Sequence, residues 1–244
     1  MAAMPSETPM QMKNLRRTRA QGLGLVVVLA LGWAHAPGSV AAAAPSWPAA
    51  SLDSQVDASG PAQLVQTTAA TILKELEAHR AEYRKDPARV HQLVDQVLLP
   101  HFDTEYSARL VLGRHWTVAT PEQRTRFIAA FYKSLLDNYG DALVDFTGDR
   151  LKVLPYTGDP AAPNATVRTQ IRKDDGSNVA VNYSLRHTDA GWKAWDLAVE
   201  GISYVKSFRD DFGAQIDQEG LDAVIAKLES GAKPGGGKAA PGKG

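Results

Sequence analysis

The hydrophobic period of this chain changes once, near Gly148, and that change restricts the fold more than any other feature. Before it, apolar residues recur at helical spacing; after it, they alternate at every second position. From Pro61, Leu64, Thr68, Ile72, Leu76 and Tyr83 recur at intervals near four. Asp86 caps a second helix, with Pro87 at its first position and Val90, Leu93, Val94 and Val97 on one face; Pro100 ends it. A third helix is expected from Thr104 to Leu112, stopping at Gly113. Thr120-Pro121-Glu122-Gln123 is a capping box with proline at the first helical position. Its helix presents Phe127, Phe131, Leu135 and Tyr139 on one stripe and is expected to break at Gly140, with a further short turn over 142–146.

Beyond Gly148, Leu151 and Val153 alternate with polar neighbours, as do Val167, Thr169 and Ile171, then Val179, Val181, Tyr183 and Leu185. Lys173-Asp174-Asp175-Gly176-Ser177-Asn178 has the composition of a hairpin turn, residues 187–191 make the next, and 192–199 the last strand. One-sided alternation points to an antiparallel sheet with one face covered and one solvated. Helices return with Val205, Phe208 and Phe212, then Leu221, Val224, Ile225 and Leu228. The expected fold is a single α+β domain, an antiparallel sheet of about four strands covered by N-terminal and C-terminal helices. Phe127, Phe131, Leu135, Leu143 and Val144 are expected to face the apolar side of that sheet. On periodicity alone this set makes a packed core or lines a slit.

The N-terminus carries an export signal. Lys13, Arg16, Arg17 and Arg19 precede a short apolar run at 23–31, and small-residue cleavage sites follow at Ala34-His35-Ala36 or Ser39-Val40-Ala41. The run is too short to span a membrane. The division expected is a signal peptide at 1–44, a Pro/Ala/Ser-rich linker at 45–60, one domain at 61–230 and a disordered Gly/Pro/Lys tail at 231–244. Residues 1–44 hold four basic and one acidic side chain, which leaves 23 Lys+Arg against 26 Asp+Glu. No clustered basic surface of the kind nucleic acid requires is evident. The chain has no cysteine, which excludes a disulfide scaffold, a thiol nucleophile and a thiolate metal site.

No phosphate loop, dinucleotide fingerprint or HExxH motif occurs. His79, His91, His101, His115 and His187 show no metal-ligand spacing. Gly201-Ile202-Ser203-Tyr204-Val205 sits where a strand gives way to a helix, as a nucleophile elbow would. Val205 replaces the second glycine, however, so Ser203 is read as the cap of the following helix. Asp103 is likewise read as the cap of the third helix.

Phe102-Asp103, Val111-Leu112-Gly113-Arg114-His115-Trp116 and Ala119-Thr120-Pro121-Glu122-Gln123-Arg124 precede the Phe127, Phe131, Leu135 and Tyr139 stripe. The continuous run from Trp195 to Phe212 comes later. In this order and spacing they resemble the MlaC family of periplasmic phospholipid-binding proteins, also called toluene-tolerance proteins, across roughly residues 61–230. The long N-terminal extension, the lysine-bearing tail and Tyr204 depart from the family's pattern. The resemblance implies a twisted sheet covered by helices, with an apolar cavity that takes acyl chains and no chemistry done on the lipid. It implies a monomeric periplasmic carrier, with bound phospholipid as cargo and no cofactor. Its partners would be an outer-membrane lipoprotein complex and an inner-membrane ABC transporter bearing a ring of MCE domains. The pocket residues expected on this basis are Val111, Phe131, Leu135 and Leu143 from the helices and Val181, Tyr183 and Val199 from the sheet. Lys206 and Arg209 are candidates to meet a lipid phosphate. The alternatives from other classes are a lipid-ester hydrolase using Ser203 and a structural adaptor of the envelope.

Overall fold

The computed structural model of the protein describes residues 52–159 and 161–234. The expected signal peptide, the start of the linker and the tail beyond 234 lie outside the described residues. Among the described residues seven α-helices and five strands follow one another: α1 (Pro61–Lys85), α2 (Pro87–Val97), α3 (Thr104–Leu112), α4 (Arg114–Val118), α5 (Pro121–Val144), β1 (Leu151–Val153), β2 (Asn164–Arg172), β3 (Asn178–Thr188), β4 (Gly191–Val199), β5 (Ile202–Ser203), α6 (Tyr204–Glu219) and α7 (Leu221–Glu229). The strands form one antiparallel sheet in sequence order. This is the α+β architecture the period change requires, with the two-residue β5 added at the edge.

The caps hold as the sequence implies. The Asp86 carboxylate accepts from Ala88 N at 3.2 Å, and that of Asp103 from Tyr106 N at 3.1 Å. Thr120 and Gln123 form a reciprocal capping box, Thr120 Oγ1 accepting from Gln123 N while Gln123 Oε1 accepts from Thr120 N. At Gly140 the expectation fails, because α5 runs through it to Val144. A Cβ there would lie 3.3 Å from Leu136 Cδ1 of the same helix and in ordinary contact, 3.8 Å, with Val90 Cγ1 of α2. The glycine is a buried position within the helix, not its end.

A second difference concerns which helix covers the sheet. The aromatic stripe of α5 does not face the strands. Phe127, Phe131 and Tyr132 pack with Phe208, Phe212, Ile216, Val224 and Ile225 in an all-helical cluster. Their rings meet edge-on and stacked at 5.0–6.1 Å, the favourable arrangements for aromatic pairs. It is α1 that covers the sheet, with Leu64 and Val65 packed on Ala165, Val167, Leu185 and Trp192. The opposite face of β2 is solvated: Thr166 and Arg168 are exposed between buried Ala165, Val167 and Thr169.

The segment before α1 is also attached. Leu52 is buried with α2 and α5 residues, and Val56 packs at the edge of the same cluster. After α7 the chain folds back, and Ser134 Oγ donates to Ala232 O.

Candidate functional site

Between α1 and the sheet lies a half-open apolar cavity of about 140 Å³. Its roof is one face of α1: Leu64, Val65, Thr68, Ala69, Ile72 and Leu73. These recur at the spacing of neighbours on one helical face. Its floor is the covered face of the sheet, with Ile171, Tyr183, Leu185, Ala194 and Leu197. Leu98, His101 and Phe102 close the side beside β4, where Phe102 bridges to Ala194. Leu143, Phe146 and Leu151 line the other side. The lining is therefore almost wholly hydrocarbon, with Thr68, His101, Tyr183 and Asp196 as its polar members.

The floor depends on an irregularity in β4. Ser184 pairs with Asp196 but the next residue, Leu185, pairs with Ala194, which leaves Trp195 as an extra residue. Such a bulge shifts the alternation by one. Trp192 and Ala194 face the helices before it; Leu197 and Val199 face them after it. Trp195 meets Tyr106 of α3 edge-on at 5.5 Å. Asp196 is buried beside the bulge, where its Oδ1 accepts from Leu197 N at 2.8 Å and Val205 N at 3.0 Å. Its Oδ2 accepts from Ser203 Oγ at 2.6 Å. Burial raises its pKa, against the lowering effect of the hydroxyl and backbone donors. Asp196 was not singled out from sequence. The signal was a lone carboxylate inside the apolar run Trp195-Asp196-Leu197-Ala198-Val199, seven residues before the serine it holds.

Ser203 caps α6 as read, accepting from Lys206 N at 3.1 Å. The turn before it is a two-residue hairpin loop, Glu200 and Gly201, both with positive φ (49° and 81°). What resembled a nucleophile elbow is a tight β4–β5 turn whose serine hydroxyl is bonded on both sides.

Of the residues expected at a pocket, the structure brings Leu143 and Tyr183 to this cavity. Val111, Phe131 and Leu135 lie in the helical cluster beneath α6 and α7. Val181 and Val199 form a small sheet cluster with Leu197, with Tyr183 and Tyr204 packed against it. Lys206 and Arg209 are exposed on α6 and do not line the cavity. Arg209 lies against Gly113, where a Cβ would come within 2.9 Å of its Nε. Gly113 also has φ of 53°, a conformation that calls for glycine. Leu64, Thr68, Ile72 and Leu73 were missed as lining because α1 was not assigned to the sheet. Among the described residues no group of three or more His, Asp or Glu is placed to hold a metal, and no helix is long and apolar enough to cross a membrane.

Comparison with known proteins follows the same lines. A family model described as MlaC protein matches residues 66–230. Toluene tolerance protein ttg2D of Pseudomonas putida is 30% identical over 168 residues, covering 68% of this chain and 78% of that protein. The intermembrane phospholipid transport system binding protein MlaC of Haemophilus influenzae is 23% identical over 177 residues, covering 70% and 82%. A solved structure of a phospholipid-binding protein from Ralstonia solanacearum, in complex with a phospholipid, shares the fold with a TM-score of 0.64 at 24% identity. It covers 68% of this chain and 93% of that one. With the match running across helices, sheet and cavity alike, the chain belongs to the MlaC family.

Proposed function

We propose that this protein is a carrier that binds glycerophospholipid in the cavity between α1 and the sheet. The observation that carries the reading is the apolar cavity itself, found in a chain with one relative named for intermembrane phospholipid transport and a fold shared with a phospholipid-binding protein. Two acyl chains hold about thirty methylenes, and at ~0.8 kcal/mol each their exposure to water costs on the order of 20 kcal/mol. Free diffusion of such a lipid through an aqueous compartment is negligible. A hydrocarbon-lined cavity brings transfer from bilayer to protein close to neutral, so that docking at either membrane decides the direction.

In this reading the N-terminal segment exports the chain to the periplasm. The carrier then moves between an outer-membrane lipoprotein complex and an inner-membrane ABC transporter with an MCE-domain ring. The lipid is handed on unchanged, and Ile72, Leu143, Tyr183 and Leu197 contact its acyl chains. The test is native mass spectrometry of protein purified from the envelope fraction, followed by lipid extraction. The expected species is folded protein with bound glycerophospholipid. Folded protein with no co-purified lipid, and no uptake from liposomes, would overturn the reading.

A further inference from the structure

Among the described residues four polar side chains line the cavity, and three of them are already bonded or sealed. His101 Nε2 lies 3.0 Å from Asp53 Oδ1. Asp196 accepts from Leu197 N, Val205 N and the Ser203 hydroxyl. Thr68 Oγ1 is enclosed by protein atoms. Tyr183 differs from all three. Its hydroxyl bonds to no described residue, and it is not among the enclosed polar atoms. The register places it at the centre of the floor, between Val167 on β2 and Leu197 on β4. A phenylalanine there would fill the wall without bringing a polar atom into hydrocarbon surroundings, which is costly when the atom stays unpaired.

Resting on the carrier reading, we propose that Tyr183 positions the cargo, its phenol O–H donating to an acyl-ester carbonyl of the bound glycerolipid. The chemistry of the lining selects that acceptor. Among the described residues no lysine or arginine lines the cavity, and the Asp196 carboxylate is part of its wall, so a phosphate finds no lysine or arginine counter-charge there. An ester carbonyl is neutral, accepts one hydrogen bond and lies next to the acyl chains. Burial pushes the Tyr183 pKa up to about 12, so the hydroxyl keeps its proton. One donor midway along an apolar slot fixes how deeply the lipid slides in, which hydrocarbon contacts alone leave undefined. It also makes the site specific for ester-linked lipids over ether-linked lipids of equal length.

The test compares dioleoyl phosphatidylglycerol with its diether analogue, titrated into the full chain after lipid removal. Wild type is expected to bind the diester about five- to tenfold more tightly, the worth of one hydrogen bond. Tyr183→Phe is expected to bind both lipids alike, at the wild-type affinity for the diether. Equal affinity of wild type for the two lipids overturns the proposal, as does a preference that survives in Tyr183→Phe. Infrared spectroscopy of the wild-type complex with carbonyl-labelled diester gives a readout that needs no variant. A carbonyl band lowered relative to the same lipid in dry apolar solvent supports the bond, and an unshifted band removes it. If wild type binds neither lipid, the carrier reading fails along with this one.

Discussion

Asp196 and Trp195 determine together what β4 presents to the cavity. Strict alternation would put Trp192, Ala194, Asp196 and Ala198 on one face; the bulge at Trp195 moves Leu197 and Val199 onto the inner face instead. Period-two reading of a sequence assumes one phase along a strand, so the strand was legible and the phase shift was not. Asp196 then joins the strand end to the start of α6 by three accepted hydrogen bonds. Asp196→Ala leaves two backbone N–H groups and the Ser203 hydroxyl without that acceptor. The expected loss is about 2–4 kcal/mol in urea unfolding at pH 7, against about 1 kcal/mol for Ser203→Ala. A smaller loss for Asp196→Ala than for Ser203→Ala would contradict this arrangement. Asp95 presents the opposite case. Its Oδ1 is buried without a hydrogen-bond partner among the described residues, and burial raises its pKa against the pull of His91. The folded state therefore retains this proton to higher pH than the unfolded chain does. That contribution to stability is present at acid pH and is lost as pH rises through the raised value. Asp95→Asn is expected to raise Tm at pH 7 by no more than about 2–4 °C, with the gain vanishing near pH 3–4. Thermal melts across that range check the sign, and a gain that grows on acidification would contradict it.

Helix α5 serves two different surroundings along its length. Through Leu135 it is enclosed by α3, α6 and α7; at Leu143 it reaches the cavity. Leu135→Trp is expected to overpack the helical cluster and cost about 1–3 kcal/mol. Leu143→Trp is expected to lower lipid occupancy several-fold while unfolding stays cooperative, because the extra ring enters space and not packed atoms. Lipid content per protein and urea midpoints for the two variants separate these effects; reversed phenotypes would reverse the assignment. Both leucines read alike in the sequence, as apolar positions expected to face the sheet, although the break expected at Gly140 put them on different elements. The caps of α2, α3, α5 and α6 were legible because capping chemistry is local: an oxygen and an N–H two or three residues apart. Which face of the sheet each helix covers is decided by residues a hundred positions away. That is why the aromatic stripe of α5 was assigned to the strands when Phe208 and Phe212 in fact receive it. Gly140 is a second such case: a glycine reads as a helix end, yet here it lies inside α5 with Val90 of α2 against it. The cavity was legible only through family resemblance. Its roof residues Leu64, Ile72 and Leu73 have the same spacing that a packed helix would show.

At the scale of the molecule, the buried residues among those described form four separate clusters, two helical and two on the sheet, and the cavity lies where they fail to merge. Helix α1 spans the gap. It departs from helical geometry at His79 (φ −126°, ψ 22°). Beyond that point it is firmly held: Arg80 donates to Val144 O and Phe146 O at the end of α5, and Tyr83 is buried among α2 residues. Before it, α1 meets the sheet through Leu64 and Val65 at one end, while Thr68 to Leu73 roof the cavity. A lipid in the slot would supply the contacts this stretch lacks. At a free lipid concentration 100 times Kd, binding stabilises the folded state by about 2.7 kcal/mol. For a domain of this size that corresponds to roughly 5–11 °C in Tm. Removing the lipid is therefore expected to lower Tm by that amount and to restore it on readdition. The lost protection against hydrogen exchange should concentrate in α1 before His79 and in β3 and β4, leaving the α5–α7 cluster unchanged, because local opening follows contact density. A uniform loss along the chain would mean that the lipid stabilises the domain without acting through α1, and an unchanged Tm would mean that the cavity does not depend on its cargo.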